Sequence, residues 1–174
     1  MNIVLIGYRG TGKSVVGSLL AERLGMEYVG MDAAIVRRAG MSIPEIVEKH
    51  GWPHFRDLES AEARELAGRD MLVIDTGGGV IERPENIQAL QRNACIIWLK
   101  ASVITIVARI QEGTERPALT SGKTFTEEVA EVLERRTPLY ESAAHYQIDT
   151  DHLTPEQITD RIIEISKSCN KIAG

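Results

Sequence analysis

Eight residues near the start limit this chain most: Gly7-Tyr8-Arg9-Gly10-Thr11-Gly12-Lys13-Ser14, the pattern G-x-x-x-x-G-K-S/T. An apolar run, Asn2-Ile3-Val4-Leu5-Ile6, precedes it, and residues 13–24 read as a helix. Glycines let backbone N–H groups curl round an anion without side-chain clashes, and the helix N-terminus adds partial positive charge. The candidate phosphate ligands are Gly10, Thr11, Gly12, Lys13, Ser14 and Val15. Lys13 can reach β- and γ-phosphates, and the Ser14 hydroxyl can ligate Mg²⁺. Such a loop implies a nucleoside triphosphate without saying what is done with it.

The rest of the chain alternates short apolar runs with helical stretches. Strands are expected at 2–6, 27–29, 71–74, 94–99 and 146–149. They lack strict alternation, as strands buried on both faces of a parallel sheet do. Helices are expected at 13–24, 32–39, 43–50, 53–67, 84–92, 102–110, 126–142 and 155–168. Pro44, Pro53, Pro84 and Pro155 suit first helical turns, and Ser42 and Thr154 suit caps. Ile158, Ile162 and Ile165 share one helix face, which docks the last helix on the core. The alternation predicts a doubly wound α/β fold, and 174 residues suit one domain, 1–174.

Composition removes other classes. A net charge of −5 and 5% aromatic residues disfavour nucleic acid and anionic membranes as partners. No apolar run is long enough to span a bilayer. Cys95, in an apolar run, reads as a core filler and Cys169 lies near the tail. Two isolated cysteines predict neither a disulfide framework nor a zinc site, which fits a reducing cytosol.

Further residues bear on the substrate. Asp32 follows the second strand, at the sheet edge where ligands bind; it suits a base for an attacking hydroxyl, or a helix N-cap. Arg56 and Glu59 sit three apart on a helix. The pair is either a solvated surface contact or a device that fixes the guanidinium for two-pronged capture of a carboxylate. Gly77-Gly78-Gly79, after the strand ending in Ile74, is either a tight exit from the strand, which rarely needs three glycines, or bare backbone brought close to a substrate. Residues 111–124 are polar and without period, as an ordinary loop or a mobile lid would be, and carry Arg116-Pro117. An arginine there could close over a γ-phosphate. Arg135 and Arg136 are adjacent on the long helix, and periodicity does not choose which turns inward.

Together the phosphate loop, Asp32, Phe55-Arg56-Asp57-Leu58-Glu59, the triple glycine, Arg116-Pro117 and Arg136-Thr137-Pro138-Leu139-Tyr140 resemble the shikimate kinases, in order and spacing from residue 2 to about 155. The resemblance implies a five-stranded parallel sheet in the order 2-3-1-4-5, flanked by helices, with a lid at about 111–124 and a substrate segment at about 31–60. It implies phosphorylation of the 3-hydroxyl of shikimate by ATP with Mg²⁺, a step of chorismate and aromatic amino-acid biosynthesis. The implied roles are Asp32 as base and Phe55 as pocket lining. Arg56 and Arg136 would hold the carboxylate, and Gly78 would donate its N–H to substrate, flanked by Gly77 and Gly79. Arg116 would meet the transferring phosphate, Arg109 would stack on adenine, and the loop at Asp149-Thr150-Asp151 would complete the adenine site. A cytoplasmic monomer is the default expectation.

Three positions depart from the family pattern. Gly30-Met31-Asp32 stands where Asp-x-Asp is usual, Gly51-Trp52-Pro53-His54 where Gly-Glu precedes the Phe-Arg pair, and Asp75 where a small or hydroxyl residue is common. Asp75 ends the third strand. It either takes over the metal-side task of the carboxylate missing at Gly30 or is a turn aspartate bonded to the following backbone. The competing functions are a related small-molecule kinase, such as a gluconate kinase, and a nucleotide-binding homologue without catalysis.

Overall fold

The computed structural model describes residues 1–111 and 124–172. Five strands, β1 (Asn2–Ile6), β2 (Glu27–Gly30), β3 (Leu72–Asp75), β4 (Ala94–Lys100) and β5 (Tyr146–Asp149), form one sheet in the order β2-β3-β1-β4-β5. Every pairing is parallel. The expected fold and strand order are both observed. Eight α-helices lie among the described residues: α1 (Lys13–Leu24), α2 (Met31–Ala39), α3 (Ile43–His50), α4 (Trp52–Ala67), α5 (Pro84–Leu90), α6 (Val103–Gln111), α7 (Phe125–Ala143) and α8 (Pro155–Ile172).

The near-continuous apolar strands follow from burial on both faces. Along β1, Val4 and Ile6 enter one core cluster while Ile3 and Leu5 enter the other. Along β4, Ala94, Ile96 and Trp98 join the first, and Cys95, Ile97 and Leu99 the second. Alternate side chains point to opposite faces and both faces are dry, so Ile3–Ile6 of β1 and Ala94–Leu99 of β4 are apolar throughout. Ile158 and Ile162 seat α8 on the second cluster, beside Val16 and Leu20 of α1.

Local chemistry sets the ends. Ser42 accepts from the Glu45 N–H at 3.3 Å to cap α3. Thr154 and Gln157 exchange bonds at the head of α8, and Thr124 with Glu127 forms a capping box on α7. The third strand starts one residue later than expected: Met71 has φ 58°, a left-handed backbone that does not continue a β-ladder.

The cysteine expectation is corrected. Cys95 and Cys169 form a disulfide, 74 residues apart in sequence and 6.3 Å between Cα atoms. Packing α8 across the face of β4 brings Cys169 over Cys95, a long-range event with no local sequence sign. No described helix is long and apolar enough to cross a membrane. The expected lid at about 111–124 falls almost wholly on residues 112–123, which, Arg116 among them, lie outside the described residues.

Candidate active site

The phosphate loop leaves β1 and enters α1. Gly7, Gly10 and Gly12 all have positive φ, at 146°, 80° and 93°. At Gly7 and Gly10 space is also a constraint: a Cβ on Gly7 would lie 2.5 Å from the Leu99 carbonyl oxygen, and one on Gly10 would lie 2.9 Å from Ile110 Cγ1. Gly12 precedes α1 without any side-chain cap, so the first N–H groups of the helix are left to an anion. Lys13 folds back along the loop, its Nζ donating to the carbonyls of Gly7 at 2.8 Å and Tyr8 at 3.1 Å. Thr11 donates to the Tyr8 carbonyl, and Val15 in the first turn of α1 is exposed. The Ser14 hydroxyl donates to Asp75 Oδ2 at 2.6 Å, and the Tyr28 hydroxyl donates to the same oxygen at 3.0 Å. Burial, then the Asp75 charge, pushes the Tyr28 phenol up to about 12, so it remains a donor at neutral pH.

The triple glycine is the point where the other candidates meet. It follows β3, and a side chain at each glycine reports what presses on it. At Gly77 a Cβ would lie 2.7 Å from Asp32 Oδ1 and 2.9 Å from Glu59 Oε2. At Gly78 it would lie 3.5 Å from Arg136 Nη1, 3.5 Å from the Arg9 nitrogen and 3.6 Å from the Gly7 carbonyl oxygen. At Gly79 it would lie 2.2 Å from Arg56 Nη1. One turn therefore touches the candidate base, both candidate carboxylate ligands and the phosphate loop. Asp32 lies within the first turn of α2, whose cap residue is Gly30; the N-cap alternative for Asp32 is thereby removed.

Each candidate carboxylate-binding arginine is paired with its own carboxylate. Arg56 donates to Glu59 Oε1 at 2.9 Å, and the Glu59 side chain is 1% exposed, so this is no solvated surface pair. Burial raises the Glu59 carboxyl above its ordinary value against the pull of Arg56; the nearby Asp32 charge adds to the rise. Arg136 donates through Nε to Glu82 Oε1 at 2.8 Å, and Arg135 donates to the same oxygen at 2.9 Å. Burial opposes the charge on Glu82, but the hydrogen bond and charge of Arg136, then of Arg135, hold its carboxyl below its ordinary value. The Arg136 side chain is 8% exposed and that of Arg135 63%, so Arg136 is the inward member. Tyr140, pushed up by burial, donates to the Gly78 carbonyl and stacks on Trp98. Arg56, Arg136 and Glu82 line a cleft of about 840 Å³ with Trp52 and Glu134. Phe55 packs in the small cluster of Ile35 and Ile46 beneath it, and the Trp52 ring meets its edge at 5.8 Å. Sequence gives no sign of Glu82, and it gives Trp52 and Tyr140 no role beyond their places in the Gly51-Trp52-Pro53-His54 stretch and the Arg136–Tyr140 motif.

On the other side of the phosphate loop, Arg109 of α6 donates to the Gly10 carbonyl at 3.3 Å and to Thr150 Oγ1 and O at 3.1 and 3.0 Å. Thr150 is fully buried and bonds the Lys100 carbonyl, while Asp151 accepts from the Ser102 N–H. The residues expected around adenine are thus tied to one another and to the phosphate loop.

Comparisons with known proteins bear on the family. The family model described as shikimate kinase matches residues 9–167. A shikimate kinase from Thermodesulfovibrio yellowstonii is 42% identical over 163 residues, 94% of this chain and 93% of that protein. The structure of shikimate kinase from Acinetobacter baumannii in complex with shikimate superposes with a TM-score of 0.90 at 35% identity, covering 96% of this chain and 93% of that one. A gluconokinase from Sinorhizobium meliloti shares the fold alone, with a TM-score of 0.61 at 16% identity over 99% of this chain and 95% of that one. With a family model matched over most of its length and a relative above two-fifths identity, the chain belongs to the shikimate kinase family.

Proposed function

We propose that this protein transfers the γ-phosphoryl group of ATP to the 3-hydroxyl of shikimate, giving shikimate 3-phosphate and ADP. The observation that carries the reading is the triple-glycine turn, which has Asp32 against Gly77, Arg136 and the phosphate loop near Gly78, and Arg56 against Gly79. A small carboxylated alcohol fits that set: two guanidinium groups for its carboxylate and a carboxylate for its hydroxyl, beside a phosphate cradle.

In this reading Arg56 and Arg136 orient the substrate carboxylate, and Glu59 and Glu82 keep the two guanidinium planes in place. Asp32 accepts the hydroxyl proton as the oxygen attacks phosphorus. The backbone N–H groups from Gly10 to Val15 and the Lys13 ammonium hold the phosphates, Lys13 exchanging its loop carbonyls for phosphate oxygens. Arg116 closes over the transferring group, and Arg109 with the Thr150–Asp151 loop borders adenine. Ser14 and Asp75 offer hard oxygen donors 2.6 Å apart at the head of α1, a set that fits Mg²⁺. The ion would neutralise charge on the phosphates. We place the enzyme in the cytoplasm, as a single-domain monomer, where ATP is supplied.

The test is ADP production with and without shikimate, with gluconate in parallel. ADP release that depends on shikimate and not on gluconate supports the assignment. Gluconate-dependent release would overturn the substrate, and ATP binding without release under either would make the chain a binding module.

A further inference from the structure

Side chains two apart on a strand share a face, so Tyr28 and Gly30 of β2 point the same way. Position 30 pairs with Asp75 of β3 in the sheet register, at the edge beside the phosphate loop. Glycine there leaves room that the Tyr28 ring uses. A Cβ on Gly30 would lie 3.4 Å from the Tyr28 hydroxyl, and one on Gly17 of α1 would lie 2.9 Å from Tyr28 Cε2. The ring lies against α1 in this position because residue 17 has no side chain. Its hydroxyl then reaches Asp75 Oδ2, the oxygen that also accepts from Ser14. Asp75 is 8% exposed and sits between a strand neighbour and the first turn of α1.

This arrangement has a chemical consequence. The Ser14 proton is given to Asp75, so the lone pairs of Ser14 Oγ are turned away from the carboxylate. A hydroxyl held in this way is a better ligand for a cation. Both donors use Oδ2, and a carboxylate has about four acceptor sites, so Asp75 keeps capacity for water on that cation. Divalent cations that accompany nucleoside triphosphates retain several waters and are steadied by one or two carboxylates nearby.

Resting on the kinase reading above, we propose that Asp75 is the carboxylate that steadies the nucleotide's divalent cation through Ser14 and its water shell. Tyr28 is a positioning residue that holds Asp75 toward Ser14, and a carboxylate at position 30 would serve the same place.

The experiment measures Mn²⁺ binding to the protein–ADP complex by the electron paramagnetic resonance of free Mn²⁺, with ADP affinity in chelator measured beside it by calorimetry. No shikimate is present, so the result is independent of substrate identity. Asp75→Ser should weaken Mn²⁺ by roughly 10–100-fold, the range for losing a group that supports a metal ligand, while metal-free ADP affinity holds within about twofold. Tyr28→Phe should produce part of that loss. Adding Gly30→Asp to Asp75→Ser should recover most of it. If Asp75→Ser fails to fold, Asp75→Asn keeps the shape and removes the charge. Unchanged Mn²⁺ affinity in the folded variant overturns the proposal, as does an equal loss of ADP affinity without metal, which would make Asp75 a strut of the phosphate loop. No recovery with Gly30→Asp overturns the equivalence of the two positions.

Discussion

Replacing Gly79 by alanine should separate substrate binding from everything else the protein does. Gly79 has φ −95° and ψ 8°, an ordinary conformation for any residue, so the backbone pays nothing. The methyl group, however, would lie 2.2, 2.3 and 2.5 Å from Nη1, Nη2 and Cζ of Arg56. Normal contact begins at about 3.5 Å, so the guanidinium must retreat by more than about 1 Å. It is the free end of a flexible side chain and can do so. The retreat breaks the 2.9 Å bond to Glu59 and moves the clamp off the substrate carboxylate. A hydrogen bond to a charged group is worth about 1.5–3 kcal/mol, which corresponds to a loss of roughly 10–150-fold in shikimate affinity. The same bond serves Oε1 of the buried Glu59. Leaving that carboxylate without Arg56 costs about 1–3 kcal/mol, a fall in melting temperature of roughly 2–12 °C for a chain of this size. Titration calorimetry with shikimate and with ADP should show the first affinity falling and the second within about twofold of wild type. Gly78→Ala is the internal control, because its methyl meets nothing closer than 3.5 Å and shikimate affinity should change less than at position 79. Shikimate affinity within about twofold in a folded Gly79→Ala protein would refute the reasoning.

Other substitutions read other parts of the site. Gly77→Ala drives a methyl between Asp32 and Glu59, 2.7 and 2.9 Å from their oxygens, and should lower turnover more than Gly78→Ala does, measured as steady-state ADP release. Arg56→Lys keeps the charge and loses the planar fork, so calorimetry should find weaker shikimate binding with nearly normal ATP binding. Arg116→Ala should cut turnover by on the order of 10³-fold, as removal of arginine fingers does, with an unchanged melting curve; turnover within about threefold would remove Arg116 from that role. Glu59 titrates at a raised pKa in the folded protein, so the native state binds its proton more tightly than the unfolded chain does. Its contribution to stability therefore falls as pH rises from the ordinary glutamate range through the raised value. Urea unfolding of wild type and Glu59→Gln at pH 5 and pH 7 should show wild type losing ground to the variant at the higher pH.

Much of the fold was legible because its causes are local. A proline in the first turn, a Ser42 or Thr154 cap and an unbroken apolar run each act within a few residues, and those elements start within a residue of where the pattern puts them, although α8 continues four residues past its expected end, to Ile172. The exceptions are local too: Met71 takes a left-handed turn that its apolar side chain does not announce. The phosphate loop and the triple glycine could be read as functional because backbone approach requires glycine whatever surrounds it.

What each residue touches was decided by packing. Arg135 and Arg136 are neighbours in sequence with the same chemistry, and only the docking of α7 against Gly78 and Glu82 buries one and leaves the other in water. Phe55 and Trp52 are both apolar, yet α4 seats Phe55 among Ile35 and Ile46 and leaves Trp52 on the cleft. Cys95 meets Cys169, and Tyr28 threads between Gly17 and Gly30 to reach Asp75, because strands and helices far apart in the chain are brought side by side. Sequence carries the short-range preferences that shape each element; the partners of a side chain belong to the three-dimensional surface on which it lands, and that surface exists only once the sheet and its helices have closed on one another.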